Sequence, residues 1–229
     1  MNIGIGITTY NRRGVANKTV AEVLKYAPDG AKVVVVDDGS GIPFKSTDVE
    51  VFRFKDNVGI AGAKNKCLEL LDKNDYIFLF DDDCYPKKED WHLPYIKSGQ
   101  EHLSYTWHRL ANGRYNNNKF LHLDIENGLK VYKSPCGVML YLTKKVIDTI
   151  GGFDQRFKSW GYEHVEFSKR VYNAGLTKYP FADLINSYEL FHALDFYTKA
   201  PSSADKSYIN YNKHLWLQES SSSQFKPYK

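Results

Sequence analysis

Three consecutive carboxylates, Asp81, Asp82 and Asp83, are the strongest sign of a functional site in this sequence. They follow residues 76–80, a short apolar run that is typical of a buried strand. Adjacent carboxylates at the edge of a core repel one another and lose hydration, so they need a cation or several donors. Divalent ions such as Mg²⁺ prefer oxygen ligands and are often shared between carboxylates and phosphates. The cluster therefore indicates a metal site; the alternative is a solvated loop in which one Asp caps a turn.

Two further polar groups follow apolar runs earlier in the chain. Thr8, Tyr10 and Arg12 come after the first run, and Asp37-Asp38-Gly39-Ser40 follows a series of four valines. Open α/β sheets bind ligands outside the carboxyl ends of their strands, so three such groups are expected to meet at one edge. For the Asp-Gly-Ser segment alone, an ordinary turn is the alternative interpretation.

Strands and helices alternate along the first eighty residues. Apolar runs at residues 3–8, 32–36, 49–54 and 76–80 predict strands. Between them, apolar residues recur at helical spacing: Ala16, Val20, Val23 and Leu24, then Ala63, Cys67, Leu70 and Leu71. This alternation predicts an α/β fold with a mostly parallel central sheet that is flanked by helices.

The later part of the chain follows a different pattern. The pairs Asn112-Gly113 and Asn127-Gly128 are hairpin signals, so residues 99–134 are expected to form a small β-rich region. Helices are predicted at residues 143–150 and 163–174. We expect one domain over residues 1–200 and a tail over 201–229. Within that tail, residues 208–217 suit a docked helix, and the end beyond the serine run is expected to be flexible.

Composition excludes several classes of protein. The 229 residues are 42% hydrophobic, enough for one sizeable core, and the net charge of +4 comes without a dense basic run typical of nucleic-acid binders. The sequence contains no run of about 18 apolar residues and no signal-peptide pattern at Met1. Cys67, Cys84 and Cys136 fit neither a zinc spacing nor a disulfide framework. These features predict a cytoplasmic protein.

Five motifs in order resemble the family 2 glycosyltransferases and related enzymes of the GT-A fold, over about residues 3–195. They are residues 8–12 (TTYNR), 36–40 (VDDGS), 57–65 (NVGIAGAKN), 81–83 (DDD) and 151–163 (GGFDQRFKSWGYE). The resemblance implies the GT-A fold with a β-rich acceptor-side region. It also implies a glycosyltransferase of the hexosyltransferase type, a nucleotide diphosphate sugar as donor, expected to be a UDP-sugar, and Mn²⁺ or Mg²⁺ as cofactor.

The resemblance also implies roles for donor-side residues. Asp81 and Asp83 would form the D-x-D pair, with Asp83 on the metal and Asp81 shared between metal and ribose. His192 would complete the metal shell; a hydrogen-bonded structural histidine is the alternative. The remaining donor-side residues would bind the nucleotide sugar: Thr8, Tyr10 and Arg12 at the base, Asp37 or Asp38 at the uracil or ribose, Lys64 and Asn65 near the diphosphate or base, and Asp82 beside them. A solvated helix face is the alternative for Lys64.

The acceptor-side motif departs from the pattern of the inverting family members. Those enzymes carry Glu-Asp with the Asp as general base, whereas this chain has Glu163-His164. His164 could deprotonate an acceptor hydroxyl, because imidazole titrates near neutral pH, or could only orient the acceptor. Some retaining relatives have Asn here, so inversion and retention both stay open. Glu163 is expected to bind the acceptor, Trp160 to stack on a sugar ring or pack in the core, and Gly137 to admit the donor sugar or form a turn.

Two other functions compete with sugar transfer. A nucleotidyltransferase would need a glycine-rich basic loop after the first strand, and residues 9–14 (TYNRRG) suit that poorly. A degenerate module that only binds a sugar nucleotide is the second alternative. The expected acceptors are a glycan, a lipid-linked sugar or a protein side chain, with a modified DNA base the least supported.

Overall fold

The computed structural model describes residues 1–106, 120–193 and 207–229. The strands in these ranges are β1 (Ile3–Thr9), β2 (Lys32–Asp37), β3 (Glu50–Arg53), β4 (Tyr76–Asp81), β5 (Cys84–Pro86), β6 (His102–Ser104), β7 (Phe120–Asp124), β8 (Leu129–Tyr132), β9 (Met139–Thr143), β10 (Ala182–Leu184) and β11 (Phe191–Ala193). The α-helices are α1 (Arg13–Tyr26), α2 (Ile60–Leu70), α3 (Leu93–Lys97), α4 (Lys144–Ile150), α5 (Glu163–Asn173) and α6 (Ile209–Glu219), and a 3₁₀ helix spans Ser187–Glu189.

A six-stranded sheet in the order β3-β2-β1-β4-β9-β6 forms the centre of the fold. The first four of these strands run parallel, whereas β9 is antiparallel to both β4 and β6. Thr8 of β1 lies opposite Val36 of β2 on one side and Asp81 of β4 on the other. The carboxyl ends of three strands therefore meet at one edge, and the predicted α/β fold with a mostly parallel sheet is confirmed.

Strand β4 connects two separate hydrophobic cores. Because side chains alternate along a strand, Phe78 and Phe80 enter the core that α1 covers, where they contact the edge of the Trp91 ring. Ile77 and Leu79 enter the opposite core, which is formed with α2, α4 and α5. All four side chains are fully buried, so β4 is fixed from both faces.

A three-stranded antiparallel sheet, β10-β8-β7, lies beside the central sheet. The predicted turn at Asn127-Gly128 joins β7 to β8, and Gly128 adopts the positive φ that such a turn needs. The other predicted hairpin turn, Asn112-Gly113, lies outside the described residues. The expected β-rich region is thus present, supplied partly by β10 from much later in the chain.

The C-terminal segment is attached to the domain. Asn212 of α6 bonds to the segment before α5, and Lys226 pairs with Gly151, accepting a hydrogen bond from the Gly152 N–H at 2.8 Å. Lys229 forms an ion pair with Asp72. Lys226 and Lys229 thus contact the domain from the end of the chain. The flexibility expected there stays a prediction. Across the described ranges, no helix is long and apolar enough to cross a membrane.

Candidate active site

A cavity of about 650 Å³ lies at the carboxyl edge of the central sheet. It is where the polar groups that follow β1, β2 and β4 meet, as the sequence predicted. Its lining residues are Thr8, Thr9, Tyr10, Arg12, Asp38, Asn57, Val58, Gly59, Ile60, Ala63, Asp81, Asp82, Asp83, Cys136, Val138, Lys158, Ser159, Trp160 and Tyr208.

The end of β1 and the loop that follows it contribute Thr8, Tyr10 and Arg12 to the cavity. Its turn is made at Asn11, which has a φ of 56°. The Asn11 N–H donates to the Ser40 hydroxyl at 2.8 Å, and the Asn11 side chain accepts from the Gly41 N–H at 2.8 Å. The loops after β1 and β2 are therefore tied together, and all three predicted residues of the first loop face the same space.

The two carboxylates at the end of β2 have different environments. Asp38 lines the cavity, and its oxygens accept hydrogen bonds from the Val58 N–H at 2.7 Å and the Gly59 N–H at 3.1 Å. Burial raises the pKa of Asp38 to about 6, although these hydrogen bonds oppose the rise. Asp37 is fully buried and instead accepts from the N–H groups of Ser40 and Phe44, so it shapes the turn. Of the two predicted binding residues, Asp38 is the one that reaches the cavity.

The three carboxylates at the end of β4 form ion pairs with two cations of the protein. Lys64 lies 3.0 Å from Asp81, and Arg12 lies 3.1 Å from Asp82 and 3.0 Å from Asp83. Burial raises the pKa of Asp81, and it raises the pKa of Asp82 to about 7 even though Arg12 and the Thr9 hydroxyl lower it. The cavity floor therefore holds closely spaced carboxylates whose ionised forms depend on nearby positive charge.

The fit of a divalent ion to this floor rests on Asp83. Its Oδ1 is buried and has no hydrogen-bond partner in the described part of the chain, while Oδ2 accepts from Arg12. A buried carboxylate oxygen of this kind suits a hard cation, which takes oxygen ligands. Asp81 and Asp83 thus fit the predicted metal pair, and their side chains share the cavity with Asp82.

The structure does not place His192 in one group of metal-binding side chains with Asp81 and Asp83. It lies on β11 opposite Tyr85 of β5, with its ring stacked on the Tyr85 ring at 4.8 Å between centroids. Burial and the charges of Lys18 and Lys87 lower the pKa of His192. Among the described ranges, no three His, Cys, Asp or Glu side chains are grouped closely enough to hold a metal ion. His192 is therefore not brought together with Asp81 and Asp83.

Lys64 and Asn65 lie beneath the cavity and do not line it. Lys64 is fully buried and donates to the Gly137 carbonyl at 3.1 Å while pairing with Asp81. Asn65 accepts from the Phe153 N–H at 2.7 Å and donates to the Phe153 carbonyl at 2.9 Å. The solvated helix face considered for Lys64 is not found, because α2 begins at Ile60 and its second turn packs against the sheet. A role of Lys64 and Asn65 near the diphosphate or base stays a prediction.

Glu163 and His164 form a pair at the start of α5. His164 Nδ1 lies 2.8 Å from Glu163 Oε1, and Glu163 Oε2 accepts from the Gly161 N–H at 2.8 Å. Burial alone would raise the pKa of Glu163, but the neighbouring His164 and Lys64 lower it to about 2. Neither side chain is among the lining residues of the cavity; they stand behind it.

Gly137 separates His164 from the cavity wall. It has a φ of 75°, and a Cβ there would lie 2.6 Å from the His164 ring. Its neighbours Cys136 and Val138 do line the cavity. The absence of a side chain at Gly137 therefore leaves room for the His164 imidazole. A role of Gly137 in admitting the donor sugar stays a prediction.

Trp160 lines the cavity and is 39% exposed, which excludes the core-packing alternative. Glu166 and Arg170 have the i,i+4 spacing that is typical of ion pairs on helix surfaces, but their ion pair is buried, and Arg170 also donates to the carbonyls of Ile150 and Gly152. Its role is structural because it caps the end of α4.

Sequence reasoning missed several lining residues. Four of them, Asn57, Val58, Gly59 and Ile60, belong to the motif of residues 57–65, so the sequence did contain a signal for their position in the site. Lys158 and Ser159 immediately precede Trp160, but neither residue type points to a site. Tyr208 comes from a distant part of the chain, and nothing in the sequence predicted its position.

Sequence comparisons match two parts of this chain to families of glycosyltransferases. A sequence model of glycosyl transferase family 2 matches residues 5–97, and a model described as the N-terminal domain of galactosyltransferase matches residues 124–194. An uncharacterized glycosyltransferase of Acanthamoeba polyphaga mimivirus is 29% identical over 194 residues, covering 74% of this chain and 73% of the relative.

Solved structures share the fold at low sequence identity. The mannosyltransferase PcManGT from Pyrobaculum calidifontis, in complex with GDP-Man and Mn²⁺, has a TM-score of 0.59 at 16% identity and covers 76% of this chain. GalNAc-T7 with UDP, GalNAc and Mn²⁺ has a TM-score of 0.61 at 15% identity, also over 76%. TarS from S. aureus has a TM-score of 0.59 at 18% identity over 84%. The matched regions span only 52%, 41% and 36% of those three chains. With the family models and the viral relative, these likenesses identify the chain as a glycosyltransferase of the GT-A fold, similar to family 2.

Proposed function

We propose that this glycosyltransferase moves a sugar from a nucleotide diphosphate sugar, a UDP-sugar in the first instance, to an acceptor hydroxyl with the help of Mn²⁺ or Mg²⁺. Two of its structural neighbours were solved with a nucleotide or nucleotide sugar and Mn²⁺. The proposal for this chain rests on its own residues, because those neighbours are at most 16% identical to it.

The observation that carries the proposal is the pairing of two features in one cavity. Asp38 offers carboxylate oxygens beside the loop of Thr8 and Tyr10, which suits a nucleoside with its N–H and hydroxyl donors. Just after the end of β4, Asp83 Oδ1 is buried and has no hydrogen-bond partner among the described residues. A nucleoside site next to an incompletely satisfied carboxylate suits a nucleotide diphosphate with its cation.

Asp81 and Asp83 would hold the metal ion; His192, the third ligand that the family resemblance implies, would have to approach them from β11. The bound ion would neutralise the charge that develops on the departing nucleoside diphosphate. Arg12 and Lys64 offset part of the charge of this carboxylate cluster, and Arg12 lines the cavity, from which it could also contact phosphate.

Glu163 and His164 bear on the stereochemical outcome. A neutral His164 whose Nδ1 donates to the ionised Glu163 would keep on its second ring nitrogen the lone pair that a general base requires. An inverting enzyme would use His164 in this way, whereas a retaining one would transfer without a protein base and use the pair only for orientation. The anomeric configuration of the product distinguishes the two mechanisms.

A donor screen tests the proposed function. UDP-, GDP- and TDP-sugars are added with MnCl₂, and the midpoint of thermal unfolding is measured. A donor present at a hundred times its Kd stabilises the folded state by about 2.7 kcal/mol, or roughly 5–10 °C for a chain of this size. Failure of every nucleotide sugar to raise the midpoint would contradict the proposal. Metal-dependent hydrolysis of the donor that binds then separates an enzyme from a module that only binds.

Analysis of the reaction products separates sugar transfer from nucleotidyl transfer. A transferase of the proposed kind releases a nucleoside diphosphate from its donor, whereas a nucleotidyltransferase releases pyrophosphate from a nucleoside triphosphate. Mass spectrometry of the products identifies which of these is formed. Candidate acceptors are a glycan, a lipid-linked sugar or a protein side chain, each tested with the donor found first.

A further inference from the structure

The loop of residues 158–162 forms one wall of the cavity and has an unfavourable backbone. Ser159 has a φ of 49°, Gly161 of 101° and Tyr162 of 71°. Residues other than glycine are disfavoured in this left-handed region, so two of the three positions are strained. Such a conformation persists only where surrounding contacts fix it. The contacts that hold this loop therefore determine the shape of the wall that carries Lys158, Ser159 and Trp160.

Asn212 of α6 supplies those contacts. Its side chain is fully buried, although it lies in the polar C-terminal segment. Its Nδ2 donates to the carbonyls of Lys158 at 2.7 Å and Trp160 at 3.0 Å, and its Oδ1 accepts from the Lys158 N–H at 3.0 Å. One amide side chain thus binds three backbone groups of the loop on both sides of the strained Ser159.

Two close approaches fix the loop further. On one side, the Ile60 N–H donates to the Ser159 carbonyl at 3.4 Å, which links the loop to the start of α2. On the other side, a Cβ at Gly161 would lie 2.6 Å from Ile209 Cδ1, so the start of α6 packs directly on the loop. The same turn of chain places Tyr208, 45% exposed, in the cavity wall.

We infer that Asn212 is a positioning residue for sugar transfer: it holds the 158–162 loop in the strained conformation that presents Lys158 and Trp160 to the substrates. The inference rests on the proposed function, because the loop lines the cavity assigned to the nucleotide sugar. Asn212 does not line that cavity and acts through the backbone of the loop.

Asn173 provides a matched control. Its Nδ2 donates to the carbonyls of Ser220 at 3.1 Å and Ser222 at 2.8 Å, so it fastens the other end of α6 to α5. Asn173→Ala removes two side chain-to-backbone bonds just beyond the C-terminal end of α6 without touching the loop. A general effect of loosening α6 would appear in both variants, whereas an effect through the loop would appear only in Asn212→Ala.

Limited trypsin digestion measures the release of the loop. Lys158 is exposed, but trypsin can cut between Lys158 and Ser159 only when the backbone there opens. With three hydrogen bonds lost, we expect the cleavage rate at this bond, followed by mass spectrometry, to rise about tenfold to a hundredfold in Asn212→Ala. The rate in Asn173→Ala should stay within about twofold of the parent. Equal rates at Lys158 in both variants would overturn the inference, whether or not any donor binds.

A second measurement separates positioning from a purely structural role. UDP with MnCl₂ should bind Asn212→Ala with a Kd within about threefold of the parent, because Thr8, Tyr10 and Asp38 are unchanged. Turnover of the donor found in the screen should fall at least about tenfold in Asn212→Ala and stay unchanged in Asn173→Ala. Faster cleavage with full turnover would overturn the positioning role. If the parent binds no nucleotide, the proposed function fails, yet the digestion still tests the hold on the loop.

Asn212→Asp covers the case in which Asn212→Ala does not fold, as judged by circular dichroism. The aspartate keeps the acceptor for the Lys158 N–H but loses both donors to the loop carbonyls. We expect cleavage and turnover to change in the same directions as in Asn212→Ala. An Asp variant with parent-like values for both would overturn the inference.

Discussion

Replacing Lys64 by methionine tests the charge balance beneath the cavity. The Lys64 side chain is fully buried, and its ammonium lies 3.0 Å from an Asp81 oxygen. At that distance two unit charges attract by about 5 kcal/mol for an effective dielectric constant near 20. Because the Asp81 side chain is 25% exposed, water screens part of this attraction. We expect Lys64→Met to lower the free energy of unfolding by about 3 kcal/mol, as is typical when one partner of a buried pair is removed.

Urea unfolding at neutral pH provides the assay, combined in a double-mutant cycle. Asp81→Asn alone leaves a buried ammonium without its partner and should also destabilise the protein. The double variant removes both charges, so its loss should be smaller than the sum of the single losses by about 2 kcal/mol. Lys66→Met is the control, because Lys66 pairs with Glu69 on the same helix at the surface and should cost about 0.5 kcal/mol or less.

The charges of Lys64 and Asp81 are expected to be coupled in their effect on the free energy of unfolding, and two results would contradict this. Additive losses in the double variant would show that Asp81 does not depend on Lys64. A loss for Lys64→Met no greater than that for Lys66→Met would show that the buried ammonium contributes no more than a surface lysine.

Three further predictions concern the site and the core. Asp83→Asn should abolish the Mn²⁺-dependent part of the thermal stabilisation by UDP while leaving the midpoint without ligand within about 3 °C, and an unchanged response to Mn²⁺ would remove Asp83 from the metal site. His164→Ala should lower turnover at least about a hundredfold if His164 is the base of an inverting enzyme, whereas substantial residual activity with retained configuration would assign the retaining mechanism. His102 is buried between the Tyr141 carbonyl and the Ser168 hydroxyl, and burial lowers its pKa to about 4. In the unfolded chain the histidine binds a proton near pH 6.5, whereas in the folded protein it stays neutral until about pH 4. The free energy of unfolding should therefore be intact above pH 6.5 and fall by about 3 kcal/mol as the pH drops towards 4. His102→Gln should flatten this pH dependence in urea titrations, and an equally steep dependence would refute the assignment to His102.

Much of the fold and part of the site follow from local sequence patterns. The valines of β2 and the alternation along β4 predicted strands, and the polar residues after them predicted where the cavity lies. The motif order predicted that Asp38, Arg12 and Trp160 would share a site, and all three line one cavity. These features are predictable because strand direction alone brings the ends of parallel strands together.

The remainder depends on packing that the sequence does not reveal. The sequence was equally compatible with Lys64 in the site and with Lys64 on a solvated helix face, because helical spacing does not show which turn of α2 faces the sheet. The Glu166 and Arg170 pair has ordinary surface spacing, yet it lies in the core with backbone carbonyls as extra partners. Tyr208 enters the cavity wall only because α6 docks on a loop about fifty residues earlier in the chain.

The two-sided burial of β4 has a consequence for how this sequence can vary. Inserting or deleting one residue within β4 would exchange its aromatic and aliphatic faces and send Phe78 and Phe80 into a core shaped for Ile77 and Leu79. The same slip would turn the aspartates that follow to the opposite side of the sheet edge. Insertions and deletions should therefore be tolerated at surface turns such as Asn127-Gly128 but not within β4. The position of the acidic triplet relative to the sheet is thus fixed by hydrophobic packing.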